Sequence, residues 1–215
     1  MLYDVMTISV QPGSPAQALA KLEGALGRLS LRGELLTCWL SEIGALNRIL
    51  LIRGYTDINA LETDRQTIST QADPFGLGEL VTAADLDLYV PFEFIEPMRP
   101  GSKAAFYEVR TYGLKPDALA PTKEAWRHAL PERAKLSRVL MAMHTTSPTP
   151  RFMHIWPYES LADRQRIRAD AVARGVWPPR GGPGVCRRSR PTSTFLRLSR
   201  RSGEAAAHSV AGSAS

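Results

Sequence analysis

The side chains best suited to chemistry stand on two short strands in the second half of the chain. His154 sits in Phe152-Met153-His154-Ile155-Trp156, and alternation along a strand puts it on one face with Phe152 and Trp156. An imidazole on an aromatic face can bind a ligand or carry a proton near neutral pH. It can equally be a core histidine bonded to backbone. Glu108 and Arg110 are two residues apart on a strand and share a face, so they can form a charged pair lining a pocket. The plainer reading is a solvated surface pair. Trp156 and Tyr158 can wall such a pocket, or simply pack a helix onto the sheet. Glu108, Arg110, His154, Trp156 and Tyr158 are the candidate ligand-pocket residues, and no catalytic residue is assigned.

The remaining ionisable groups suggest less. His144 ends the preceding strand, where a tight hairpin puts it opposite Arg151 and not His154; His128 lies on a helix. Arg164 and Arg168, one helical turn apart, read as a solvated face. No spacing of ligating residues indicates a metal. There is no Gly-rich phosphate loop, nucleophile elbow or Ser-His-Asp order, and no cofactor is expected. Cys38 lies among Leu35, Leu36, Trp39 and Leu40 and reads as a buried structural thiol. Cys186 stands in an Arg-rich stretch, so a disulfide framework is not indicated.

The elements that must position these residues occur twice. Tyr3-Asp4-Val5 matches Tyr107-Glu108-Val109 and Gln11-Pro12 matches Lys115-Pro116, at an offset of 104. Arg48, Tyr55, Ile58 and Arg65 match Arg151, Tyr158, Leu161 and Arg168 at an offset of 103. A spacing this constant marks a duplication. Within the first copy, strand formers over 2–10 precede a helical stripe of Ala18, Leu19, Leu22, Leu26 and Leu29, with Ser14 as N-cap and Pro15 after it. Strands over 35–43 and 47–53 follow, then a helix from Asp57 to about Thr70, then a strand over 86–94. The second copy predicts strand 104–112, helix 117–130, strands 137–145 and 150–156, and helix 159–173. The fold class is α+β: tandem ferredoxin-like βαββαβ units, expected at 1–100 and 101–179.

A last strand for the second unit is not legible, and residues 180–215 read as a disordered tail. Back-translating Arg190 to Arg201 and reading from the third base of the first codon spells Asp-Ile-Tyr-Leu-Pro-Ala-Pro-Phe-Ser-Pro. This resembles Asp87-Leu88-Tyr89-Val90-Pro91-Phe92, which suggests a frameshift upstream, near 181–188. The expectation is a second unit lacking its last strand, with strand 104–112 left as an open, aggregation-prone edge.

The segments Phe106-Tyr107-Glu108-Val109-Arg110-Thr111-Tyr112 and His154-Ile155-Trp156-Pro157-Tyr158-Glu159-Ser160-Leu161 resemble the NIPSNAP family, as does Leu46-Asn47-Arg48 before the third strand. The resemblance implies a dimeric α/β-barrel, related in shape to small cofactor-free monooxygenases and haem-degrading proteins. It brings no agreed catalytic residues. Roles in vesicle traffic and mitochondrial signalling are associated with animal members of that family.

Composition narrows the partners. The net charge of +6 would suggest nucleic acid, but seven Arg and one Glu lie from Arg180 onward. Residues 1–179 hold twenty basic and twenty acidic side chains and are neutral, so nucleic acid is excluded as a partner. Apolar runs such as Ile49 to Ile52 are far short of the roughly 20 residues a membrane span needs. The start of the chain lacks signal or transit character, so a cytoplasmic location is expected. Two functions compete. The first is a small-ligand or protein-binding protein, with an apolar ligand between two sheets and further association into a homo-oligomer. The second is a cofactor-free monooxygenase- or isomerase-like enzyme using the same cleft.

Overall fold

The computed structural model describes residues 1–101 and 104–180, and the backbone of 192–198. The first unit runs β1 (Leu2–Val10), α1 (Pro15–Leu26), β2 (Glu34–Ile43), β3 (Arg48–Tyr55), α2 (Ile58–Ser69) and β4 (Val81–Pro91). The second repeats the order as β5 (Phe106–Gly113), α3 (Leu119–Ala134), β6 (Met141–Thr145), β7 (Arg151–Tyr158), α4 (Leu161–Ala173) and β8 (Thr192–Leu198). Asp57 caps α2 by accepting the Asn59 and Ala60 N–H groups, and Ser160 caps α4 through the Asp163 N–H. Ser14 does not cap α1 with its side chain; its hydroxyl donates instead to the Gln11 carbonyl at 2.7 Å. The α3 helix continues past Pro131 to Ala134, a turn beyond the expected stop.

All strand pairs are antiparallel, and the order β1-β3-β2-β8-β5-β7-β6-β4 closes into one barrel. Each unit contributes the ferredoxin-like order of four strands. The units join at two seams, β4 with β6 and β2 with β8.

This overturns the expected loss of the last strand. Thr192 to Leu198 pairs with β5 on one side and β2 on the other, so β5 is not an open edge. The physical reason lies in residue type and in what the edges demand. Thr, Phe and Leu are strand formers even within a stretch biased to Ser and Arg, and two adjacent edges offer unpaired N–H and C=O groups. The second unit therefore extends beyond residue 179. The rest of the expected tail, 181–191 and 199–215, lies outside the described residues.

An eight-stranded barrel is just wide enough for side chains to fill it. Tyr3, Val5, Trp39, Tyr89, Tyr107, Met141, Met143 and Ile155 meet in one buried cluster drawn from both units. Trp39 and Tyr107 stack across the unit boundary, centroids 4.1 Å apart at 15°. The space expected to be an apolar cleft is a packed core. Two further clusters lie outside the barrel wall, one under α1 and one under α3 and α4.

Candidate functional site

Register decides which way the candidate residues face. In the β5–β7 pair, Phe106 is opposite Tyr158, Glu108 opposite Trp156, and Arg110 opposite His154. Their neighbours Tyr107, Val109, Met153 and Ile155 point into the barrel core. Alternation therefore turns Glu108, Arg110, His154, Trp156 and Tyr158 to the outer face, the one covered by helices. Trp156 and Tyr158 pack there with Trp126 of α3 and Ile167 of α4. The five residues come together as the sequence suggested, but beneath the helices and not inside the barrel.

Glu108 is at the centre and fully buried, which removes the solvated-pair reading. Its Oε1 accepts from Arg110 Nε at 2.9 Å and from Arg164 Nη2 at 2.5 Å. Oε2 has no hydrogen-bond partner among the described residues and lies 3.7 Å from Arg168 Nη1. Arg164 and Arg168, taken from sequence as a solvated face, instead reach from α4 to the strand. Ser160 fixes where α4 starts and so sets the height of both guanidiniums. Arg110 also donates to the Tyr112 hydroxyl at 3.2 Å.

Arg133, on the turn that α3 adds beyond α1, was not singled out from sequence. Its guanidinium stands 4.2 Å from the Trp156 ring centre and 5.8 Å from that of Trp177. A cation over an aromatic face gains from the ring quadrupole, more so when desolvated. Burial lowers the Arg133 pKa, while the nearby Tyr158 raises it. Arg168 is also lowered, first by burial and then by its like-charged neighbour Arg110.

His154 is buried among Tyr112, Trp126 and Phe152, with ring centres 4.9 to 5.5 Å away. The Trp156 indole N–H donates to His154 Nδ1 at 2.8 Å. An accepting Nδ1 means a neutral ring with its proton on Nε2. Burial, then Arg110, Arg168 and Arg133, hold the imidazole pKa well below its ordinary value. The ring is built to stay uncharged. Tyr158 is shifted upward by burial and by the Glu108 charge.

The first unit carries the simpler version of this arrangement. Asp4, at the position of Glu108, pairs with Arg65, at the position of Arg168, at 2.6 Å. Where the second unit has Arg110, His154 and Arg164, the same offsets fall on Met6, Leu51 and Leu61. All three are buried apolar residues. In turn, the first unit's buried Arg53 and Asp64 fall on Trp156 and Ile167, so Asp4 has one ion-pair partner where Glu108 has three. Repeat alignment is the signal that could have exposed Arg164 and Arg168. Among the described residues no group of three His, Cys, Asp or Glu could hold a metal ion, and no helix is long and apolar enough to cross a membrane.

The sequence profile of the NIPSNAP family matches residues 3–81 and 107–187, one copy per unit. A curated relative, Protein NipSnap homolog of Dictyostelium discoideum, is 26% identical over 142 residues, covering 65% of this chain and 63% of that protein. The chain thus spans less than two thirds of that relative's length. Among solved structures, an anthrone oxidase-like protein aligns with a TM-score of 0.63 at 10% identity, over 92% of this chain and 91% of the other. A candidate monooxygenase from Lactobacillus acidophilus aligns with a TM-score of 0.59 at 10% identity, over 91% of this chain and 92% of the other. At such identity the two structures share the fold alone.

Proposed function

Since the chain belongs to the NIPSNAP family, we propose that it is a small-ligand-binding α/β-barrel protein whose site is the helix-covered face of its second unit. The observation that carries this reading is where the two copies differ. Both keep a tyrosine in the barrel core, Tyr3 and Tyr107, and another under the helices, Tyr55 and Tyr158. Under the helices, the second copy replaces Met6, Leu51 and Leu61 with Arg110, His154 and Arg164. Replacing a buried ionic group by apolar residues of similar volume is often neutral or stabilising, so packing alone gives no reason to install these groups there.

A protein-binding role has less support. The exposed large apolar residues Ile43, Leu46, Ile58, Leu161 and Val172 come from β2, the turn after it, α2 and the two ends of α4, and scattered single residues of this kind are ordinary on a surface. The enzyme alternative, a cofactor-free monooxygenase- or isomerase-like activity, needs a group that exchanges a proton near neutral pH. His154, with its Nδ1 already accepting the Trp156 N–H, offers a donor and not a base. The reading keeps a cytoplasmic location and no cofactor. Because every strand has two neighbours, any homo-oligomer would use helix or loop surfaces.

The test is a small-molecule stability screen on the full chain, with intrinsic fluorescence as a second readout, since Trp126, Trp156 and Trp177 surround the site. Ligands of this site stabilise the parent protein but not a variant returned to the first copy's residues, Arg110→Met with His154→Leu. Stabilisation that survives in that variant places the site elsewhere. Consumption of dioxygen with a phenolic substrate and no added cofactor favours the enzyme alternative.

A further inference from the structure

Resting on the ligand-binding reading above, we infer that the second unit's site takes a small organic monocarboxylate, gripped by Arg168 and Arg110. Charge provides the first reason. Around Asp4, the first unit sets Asp4, Asp64 and the exposed Glu62 against Arg53 and Arg65, which leaves no surplus of positive charge. Around Glu108, the second unit sets one carboxylate against Arg110, Arg133, Arg164 and Arg168. Asp163 and Asp170, the acids on α4, are engaged elsewhere with Arg166 and Arg174. Among the described residues the site therefore holds a surplus of positive charge under a helical cover, where screening by solvent is reduced. An anion would relieve the repulsion that Arg110 and Arg168 exert on each other.

Donor geometry provides the second reason. A guanidinium carries five N–H donors in a planar fork that matches a carboxylate. Arg110 uses two contacts, to Glu108 and Tyr112. Among the described residues Arg168 makes an ion pair at 3.7 Å, too long for a hydrogen bond, which leaves its fork for a ligand. Their side chains are 18% and 37% exposed, which leaves them open to a ligand. The Tyr112 ring, layered on His154 at 5.5 Å, offers an aromatic wall beside them. Glu108 Oε2 faces the same Arg168 and would repel a dianion more strongly than a monoanion. That favours a carboxylate over a phosphate.

Isothermal titration of the full chain at neutral pH and fixed ionic strength tests this with benzoate, acetate, inorganic phosphate and benzyl alcohol. Benzoate is expected to bind most tightly of the four. Arg168→Gln should weaken it roughly tenfold or more, as loss of a charge-assisted fork does. Arg168→Lys, which keeps the charge without the fork, should fall between. Arg65→Gln, the equivalent change in the first unit, should leave benzoate affinity within about twofold, because sites this far apart act independently. Circular dichroism checks that each variant is folded, and Arg110→Met supplies a second lesion should Arg168→Gln unfold. Equal benzoate affinity in folded Arg168→Gln and parent overturns the inference, as does no binding of either carboxylate. Phosphate binding without benzoate overturns the carboxylate assignment. Benzyl alcohol bound as tightly as benzoate, and lost in His154→Leu, overturns the anion while leaving the ligand-binding reading in place.

Discussion

The phenol oxygens of Tyr3 and Tyr107, equivalent residues of the two copies, each accept a backbone N–H from the segment that joins the units. Tyr3 takes the Met98 N–H and Tyr107 takes the Ala104 N–H, both at 3.0 Å. Both rings are fully buried in the barrel core, and Ile95, Met98 and Ala104 pack against that core. The described linker residues Ile95, Met98 and Ala104 therefore close over the barrel core, Met98 and Ala104 each held by a tyrosine. Tyr3→Phe removes one hydrogen bond and leaves a buried N–H without a partner, costing about 1–3 kcal/mol. Urea denaturation reads the loss, and amide exchange at Met98 should speed up by more than at Ala104. Tyr107→Phe should reverse that order.

His154 gives stability a pH dependence of known sign. Burial and three arginines hold its folded pKa well below the ordinary value. The unfolded chain therefore takes up a proton below about pH 6.5 that the folded chain refuses. The contribution is complete above that pH and is lost as pH falls through it. The slope from this one group is about 1.4 kcal/mol per pH unit. Asp4, whose carboxyl burial pushes upward, acts with the opposite sign in a more acidic range. Urea midpoints between about pH 5 and 7 should fall with acidification in the parent, and His154→Leu should flatten that slope.

Gly33 is required by the ring of Tyr55. A Cβ at residue 33 would overlap that ring, and the ring cannot easily move. Its hydroxyl donates to Asp64 Oδ2 at 2.9 Å, and the same oxygen accepts the Gly33 N–H at 2.9 Å. Gly33→Ala should cost about 1–3 kcal/mol through overpacking. Calorimetry of Gly33→Ala with Tyr55→Leu should show less loss than the two single changes together, since the two sites share one contact.

Legibility in the sequence followed how much of each signal was local. The repeat offset and strand alternation located seven of the eight strands and all four helices, because side-chain period and caps are written in neighbouring residues. They also put Glu108 and Arg110 on one strand and His154 and Trp156 on another, with Tyr158 just past its expected end. Which face of the sheet those residues occupy was not local. It depends on closure of the barrel across the β4–β6 and β2–β8 seams, which makes the inner face a core and leaves the outer face to the helices. Arg164 and Arg168 were missed for a related reason: a charged helical stripe looks solvated until a buried carboxylate is known to lie beneath it. The strand Thr192–Leu198 was hidden by its Ser- and Arg-rich setting.

Closure at β8 makes truncation informative. A chain ending at Arg180 would lose the partner of both β5 and β2, exposing two strand edges. Such a protein should be less stable and should aggregate with a concentration dependence absent in the full chain, which light scattering reads. Resequencing the gene across the codons for 181–188 tests the frameshift proposal separately. A restored frame encoding Asp-Ile-Tyr-Leu-Pro should raise the denaturation midpoint; an unchanged frame removes the proposal.

Glu108 and Asp4 should respond differently to neutralisation because they carry different numbers of arginines. Glu108→Gln removes the negative charge that Arg110, Arg164 and Arg168 share. Removing one member of a buried ionic group costs about 3–5 kcal/mol; with the arginines partly in solvent, about 2–3 is the better expectation. Asp4→Asn takes the ion-pair partner from Arg65, whose side chain is 25% exposed and can turn to water, while Arg53 keeps the charge of Asp64 nearby, so about 1 kcal/mol or less is expected. The decisive case is Glu108→Gln with Arg164→Leu, which brings the second copy's charge balance closer to the first. If surplus positive charge causes the loss, this double variant should be more stable than Glu108→Gln alone in urea unfolding. If it is less stable by the sum of both single effects, Glu108 acts through packing and not through charge.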